Sequence, residues 1–233
     1  ARDDVLGVVA HDLRNPLQGI SMWTRLLADT KGHQERRSRQ ALQAIERAVE
    51  RMNWLIENLL DVASMDAGRL SLVRRRQPAA EIVVAAVEAQ APLALSASLR
   101  LRLDLADGLP EIDIDSARLL QVFENLIGNA IKFTPPGGVV TVGARRSSAD
   151  VLFSVRDTGA GIREQDMPRL FERFWQAGDI DRRGVGLGLP IARYITEAHG
   201  GIVKVRSLPN EGTTFTVDLP RDARAASASH VRH

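Results

Sequence analysis

The sequence predicts two units in series: an all-α helical hairpin that pairs with a second copy as a dimeric four-helix bundle, then an α+β sandwich. Three observations predict this. Two long N-terminal stretches carry apolar residues every three or four positions, as one face of a helix does. After Asp66-Ala67-Gly68 the pattern changes to short alternating runs interleaved with helical ones. A lone hairpin also leaves its apolar stripe half covered, which pairing would bury. The expected boundaries are 1–66 for the hairpin, 67–76 for a hinge, 77–220 for the sandwich and 221–233 for a disordered tail.

In the first helix, from Asp4 to about Ala28, the stripe is Val5, Val8, Val9, Leu13, Leu17, Ile20 and Leu27. Pro16 removes an N–H donor within it and is expected to kink the helix after Asn15. Polar residues from Asp29 to Ser38, with Gly32, form the expected connector. Leu42, Ile45, Val49, Met52, Ile56, Leu59 and Leu60 mark the second helix. Downstream, helices are expected over Ala80 to Ser96, Ser116 to Phe133 and Gly186 to His199. Strands are expected at Leu99 to Leu103, Val139 to Ala144, Val151 to Arg156, Ile202 to Ser207 and Thr213 to Leu219. The tail lacks an apolar period and is rich in Ala, Ser and Arg.

Composition narrows the function classes. The formal charge of +2 is accounted for by Arg221, Arg224 and Arg232 against Asp222, so residues 1–220 are neutral by count and nucleic acid is not an implied partner. No run reaches the roughly 18 consecutive apolar residues of a membrane span, so this segment is not expected to insert in a membrane. There is no cysteine, which excludes disulfides and thiolate metal sites and suits a cytoplasmic location. The chain opens on Ala1 without an initiator Met, so an upstream segment is expected.

Four elements carry chemistry. Asn125, Asn129 and Lys132 fall at i, i+4 and i+7, on one face of their helix, with Leu119, Phe123, Leu126 and Ile127 on another. Amide oxygens can ligate Mg²⁺ and an ammonium can approach nucleotide phosphates. Taken alone, the array is equally an ordinary polar helix face. Asp157-Thr158-Gly159-Ala160-Gly161 follows an apolar run, placing a carboxylate at a strand end where it can accept from an amine such as adenine N6; a plain turn would look the same. Gly184-Val185-Gly186-Leu187-Gly188-Leu189 precedes a helix whose N–H groups and positive end suit phosphates. The polar segment before it, Gln176 to Arg183, excludes a dinucleotide-binding βαβ motif. Gly212-Thr213-Thr214-Phe215 opens the last strand.

In order and spacing these elements resemble the N, G1, G2 and G3 boxes of the GHKL ATPase superfamily, which unites histidine kinases, Hsp90, DNA gyrase and the MutL proteins. Phe171-Glu172-Arg173-Phe174-Trp175 resembles the F box of histidine kinases. Val9-Ala10-His11-Asp12-Leu13-Arg14-Asn15-Pro16-Leu17 is similar to their H box. The resemblance implies an ATP-binding domain with a nucleotide site of Asn125, Asn129, Lys132, Phe133, Asp157, Gly159, Gly161, Gly184, Gly186, Leu187, Gly188, Thr213 and Thr214, and Mg²⁺ held at Asn125 and Asn129. It implies autophosphorylation of His11, with Asp12 taking up the proton, and transfer to an aspartate of a response-regulator receiver domain. Asn15, one turn after His11, matches the position that orients water when such kinases dephosphorylate their regulator.

The superfamily's hydrolases place a water-activating Glu where this chain has Asn125; Glu124 is adjacent but rotated about 100° round the helix. That favours transfer over hydrolysis. Two departures are Val185, where Thr or Ser is common, and Gln176, where several relatives carry an Arg; Arg173 or Arg183 is the expected substitute. The stretch Phe171 to Arg183 is expected to act as a lid. His199 is expected to be a helix cap favoured by the dipole rather than a catalyst. A nucleotide-sensing scaffold without transfer and an ATP hydrolase are the competing readings.

Overall fold

A computed structural model describes residues 16–25, 27, 35–66, 70–148, 150–176 and 186–222. Residues 16–25 are helical (α1) and α2 runs Glu35–Asp66. The helix therefore takes in Glu35 to Ser38, which the sequence assigns to the connector: these polar residues are adequate helix formers, and no Gly or Pro stops them. There follow β1 (Arg75–Pro78), α3 (Ala79–Ser96), β2 (Arg100–Leu105), β3 (Glu111–Ile114), α4 (Ser116–Phe133), β4 (Val139–Arg146), β5 (Asp150–Asp157), a 3₁₀ turn (Glu164–Arg169), α5 (Gly188–Ala198), β6 (Ile202–Leu208) and β7 (Gly212–Pro220).

The five-stranded sheet has the order β2-β4-β5-β7-β6, with β2 parallel to β4 and the remaining pairs antiparallel. Alternation decides its faces. Val140, Val142 and Ala144, Val151, Phe153 and Val155, and Phe215, Val217 and Leu219 are buried on one side under α3, α4 and α5. A separate pair, β1 with β3, is antiparallel from Arg75 opposite Ile114 to Pro78 opposite Glu111. Neither strand was foreseen: each has four residues, too few to show a period, and β1 reads Arg-Arg-Gln-Pro.

α4 buries more residues than any other described helix. Its start is fixed by Asp115, whose side chain accepts from the Arg118 N–H, and its end by Thr134, ahead of Pro135, where the residue before a proline is driven out of the helical region. Leu119, Val122, Phe123, Leu126 and Ile127 are fully buried, and the Phe123 ring meets Phe153 edge-on, centroids 5.5 Å apart. α3 is long and apolar enough to cross a membrane by length and composition. Here Ala79, Ile82, Val83, Ala86 and Ala94 are used in the core, against α4 and the sheet.

α2 has two apolar sides. Leu55 is buried and Leu59, Val62 and Met65 pack against the sandwich core, with α5 in contact. Leu42, Val49, Ile56 and Leu60 lie on another side at 40–63% exposure.

His199 ends α5 as expected but is not a charged cap. It is buried: Nε2 accepts from the Asp115 N–H at 3.0 Å and Nδ1 lies 2.8 Å from the Ile195 carbonyl oxygen. Burial lowers its pKa, outweighing the Ile195 bond that raises it. The imidazole is therefore neutral, Nδ1–H donating, and joins the end of α5 to the start of α4. A depressed folded pKa gives stability that is complete above the unfolded value, about 6.5, and is lost as pH falls below it, where only the unfolded chain takes up the proton. His199→Gln is thus expected to melt lower at pH 7 but to lose less between pH 7 and pH 5 than the parent. Parallel melting curves would contradict this.

Candidate functional site

Asp157 closes β5, buried at the strand end. Its Oδ1 accepts from the Gly159 N–H at 2.8 Å and the Thr213 N–H at 3.1 Å. Burial raises its pKa while these two bonds lower it, so the carboxylate is oriented from both sides. The second and fourth elements are thus fastened together. They touch so closely that Gly212, at φ +93°, has no room for a side chain: a Cβ would fall 2.1 Å from the Asp157 carbonyl oxygen.

The first element joins at both ends. Gly159 lies against the Phe133 carbonyl at the end of α4, and Gly188, opening α5, faces Asn125: a Cβ there would sit 2.7 Å from Asn125 Oδ1. Lys132 is in the last turn of α4, with Nζ 4.6 Å from the centre of the half-exposed Phe133 ring. The fold therefore brings the described parts of all four sequence elements to one place, between the polar face of α4, the N-terminus of α5 and the end of β5. That combination offers amides, an ammonium, a helix N-terminus and a buried carboxylate, which suits a polyphosphate at one end and a donor-bearing base at the other.

Not every expected residue turns its side chain toward this place. Thr214 alternates to the sheet face opposite Thr213 and Phe215, so of the two threonines only Thr213 brings its side chain toward Asp157; its hydroxyl is 2.9 Å from Ser207 Oγ. Leu187 is fully buried in the core and can offer only main chain. Gly161 and Gly186 both have positive φ, and the Gly186 carbonyl accepts from the Phe174 N–H. Phe171 and Phe174 pack against the core, with Arg193 over the Phe171 ring. His11, Asp12, Asn15, Arg183, Gly184 and Val185 lie outside the described residues, as does most of the expected lid.

One cluster escaped sequence reading. A cleft of about 380 Å³ between α2 and α4 is lined by Trp54, Glu57, Asn58, Leu60 and Asp61 on one side and Ala117, Arg118, Gln121, Glu124 and Asn125 on the other. Asp61, 7% exposed, accepts from Arg118 at 2.7 Å and from Gln121. Burial, and then the Glu57 charge, raise the Glu124 pKa. The available signal was spacing: Arg118 precedes Asn125 by seven residues and so shares its helix face.

Two family models account for most of the chain. Residues 1–68 match the His Kinase A (phospho-acceptor) domain, and residues 114–223 match the histidine kinase-, DNA gyrase B- and HSP90-like ATPase domain. The chain belongs to the histidine kinase family. It is 35% identical over 217 residues to the sensor protein DivL of Caulobacter vibrioides, covering 93% of this chain and 28% of that protein. It is also 35% identical over 229 residues to the signal transduction histidine-protein kinase BarA of Escherichia coli, covering 95% and 25%. The chain spans under half the length of the curated relatives it matches first. Among solved structures, full-length ShkA in complex with AMPPNP superposes with a TM-score of 0.70 at 29% identity, over 94% of this chain and 45% of that one. The Acinetobacter baumannii histidine kinase AdeS shares the fold, with a TM-score of 0.68 at 22% identity over 91% and 98%.

The Gly188 contact gives a local test of this convergence. Gly188→Ala is expected to push the Asn125 amide aside and weaken binding of an ATP analogue at least tenfold, about 1.4 kcal/mol, by calorimetry, with little change in melting temperature. Unchanged affinity would mean that the first and third elements do not share a ligand.

Proposed function

We propose that this chain is the kinase core of a two-component sensor: it binds ATP with Mg²⁺, moves the γ-phosphoryl group to His11, and passes it to a receiver-domain aspartate. The observation that carries the reading is the convergence on Asn125, whose neighbours supply phosphate-binding groups while its own amide cannot activate water. Glu124, the nearest carboxylate in sequence, is rotated about 100° from Asn125 round the helix and faces Glu57 across the cleft. An imidazole nitrogen is a better acceptor at neutral pH. In the transfer the ring nitrogen forms a bond to γ-phosphorus as the bond to the β,γ-bridging oxygen breaks; ADP leaves with that electron pair and Asp12 accepts the ring proton.

Two amides, Asn125 and Asn129, fit an ion that arrives with the nucleotide. Among the described residues no three His, Cys, Asp or Glu side chains gather into a metal cage. Mg²⁺ commonly takes few protein ligands and completes its shell with water and phosphate oxygens, where it neutralises charge. Lys132 adds a second positive charge, and Asp157 selects the base.

The exposed residues Leu42, Val49 and Ile56 recur every seven positions along α2, a seam that supports homodimerisation through the hairpin. A cytoplasmic location, a sensor upstream and a domain division near residues 66 to 77 complete the proposal, with Asn15 positioned for regulator dephosphorylation.

Two measurements test it. With γ-labelled ATP and Mg²⁺, the protein is expected to acquire an acid-labile, base-stable label that His11→Gln and Asn129→Asp both abolish. Steady phosphate release without labelled protein would favour a hydrolase, and nucleotide binding without either a scaffold. In sedimentation, the Val49→Glu, Ile56→Glu double variant is expected to run as a monomer where the parent runs as a dimer.

A further inference from the structure

Asp61, Arg118 and Gln121 close a ring of hydrogen bonds across the two domains. One Asp61 oxygen accepts from Arg118 Nη1, the other from Gln121 Nε2, and Gln121 Oε1 accepts from Arg118 at 3.0 Å. The ring is well shielded, the Asp61 side chain being 9% exposed and that of Arg118 35%. A charge-assisted pair in such a place is strong while closed, and costly to leave with one member missing.

The position of Arg118 gives the ring its meaning. Arg118, Asn125, Asn129 and Lys132 are spaced by seven, four and three, so one stripe of α4 carries a guanidinium, two amides and an ammonium. Arg118 and Asn125 line the same cleft, and Arg118 is the only basic residue among the described residues lining it. With Arg118 engaged by Asp61, the α2 wall facing Asn125 presents the Glu57 carboxylate, and the described lining offers no other cation. Phosphoryl transfer depends on neutralising charge that spreads over the phosphoryl oxygens. A wall that presents an unneutralised carboxylate does the opposite.

The linker reinforces the arrangement. The Val73 N–H donates to Asp115 Oδ2 and Arg74 to the Ala198 carbonyl, while Asp115 Oδ1 caps the Arg118 N–H. Hairpin, linker and α5 thus all fasten to the first turn of α4, the end from which Arg118 projects.

We propose that Asp61 is a positioning residue that clasps the catalytic domain to α2 and masks Arg118, and that Arg118, once released, becomes a cation for the γ-phosphate. The inference rests on the phosphoryl-transfer reading. It gives the chain a basic group for the transferring phosphate in a place other than Gln176. It also makes that group available only when α2 moves relative to α4, so the resting state is slow by construction.

The test is the initial rate of His11 labelling at saturating ATP. Asp61→Asn, which keeps the size of the side chain and removes its charge, is expected to raise that rate about fivefold or more, the scale of typical coupling between sites. Arg118→Gln in the Asp61→Asn background is expected to erase the gain and to raise the KM for ATP, an effect that a merely structural pair would not produce. A gain that survives in the double variant, or an Asp61→Asn rate at or below that of the parent, overturns the proposal. If Asp61→Asn does not fold, Gln121→Leu, which removes one of the two donors, is expected to give a smaller increase, and no increase overturns it. Small-angle scattering keeps the two readings apart. A parent protein that takes no label defeats the kinase reading, and the clasp is then decided by whether Asp61→Asn enlarges the radius of gyration; an unchanged radius overturns it.

Discussion

The packing of α4 into the sandwich is the constraint on which the rest of the structure depends. Five of its side chains are fully buried, and the Phe123–Phe153 contact fixes its rotation against β5. A helix held on one face has no freedom left on the other, because side-chain direction follows from backbone phase. Asn125, Asn129 and Lys132 are therefore aimed by hydrophobic residues that never touch a ligand. The same phase brings Gly188 against Asn125 and Gly159 against the end of the helix. Placing polar groups on a rigid, pre-oriented scaffold avoids the reorganisation that would otherwise have to be met from binding energy.

The second constraint is backbone crowding around Asp157. A carboxylate taking two main-chain N–H bonds at a strand end can be buried and still remain a recognisable acceptor, since those bonds oppose the cost of desolvation. The strands must approach to atomic contact to supply the bonds, and only glycine tolerates the approach at position 212. The glycines here belong as much to packing as to phosphate binding, and a lone glycine-rich motif in a sequence cannot distinguish the two.

Where the sequence was legible, the physics was local and periodic. The limits of α4 could be read because Asp115 caps one end, Pro135 lies just beyond the other, and the apolar phase between them is unbroken. The sheet's inner strands were legible from strict alternation. β1 and β3 were not, since a four-residue strand pairs through main-chain bonds that leave no side-chain period. Thr214 could not be told from Thr213 for the opposite reason: adjacent threonines look alike in a motif, yet a strand sends them to opposite faces. His199 reads as a dipole-favoured cap because its partner, the Asp115 N–H, lies 84 residues away. The Asp61 ring is likewise a product of tertiary structure, joining residues nearly 60 positions apart, and neither partner belongs to a motif.

A partly buried ion pair between two domains is better suited to switching than to stability. Desolvating both charges offsets most of their attraction, so the net contribution of a closed pair is modest even where removing one partner is severe. The contact of α2 with the sandwich adds few wholly buried apolar side chains beyond Leu55, while α4 buries six residues in the sandwich core. The interdomain contact is thus the weaker of the two by a wide margin. It can open without disturbing the nucleotide-binding fold, and a gap of a few kcal/mol is what an input arriving through the hairpin helices could reverse. The division of labour follows from burial: a core that holds α4 in one phase, and a polar contact at its first turn weak enough to be released.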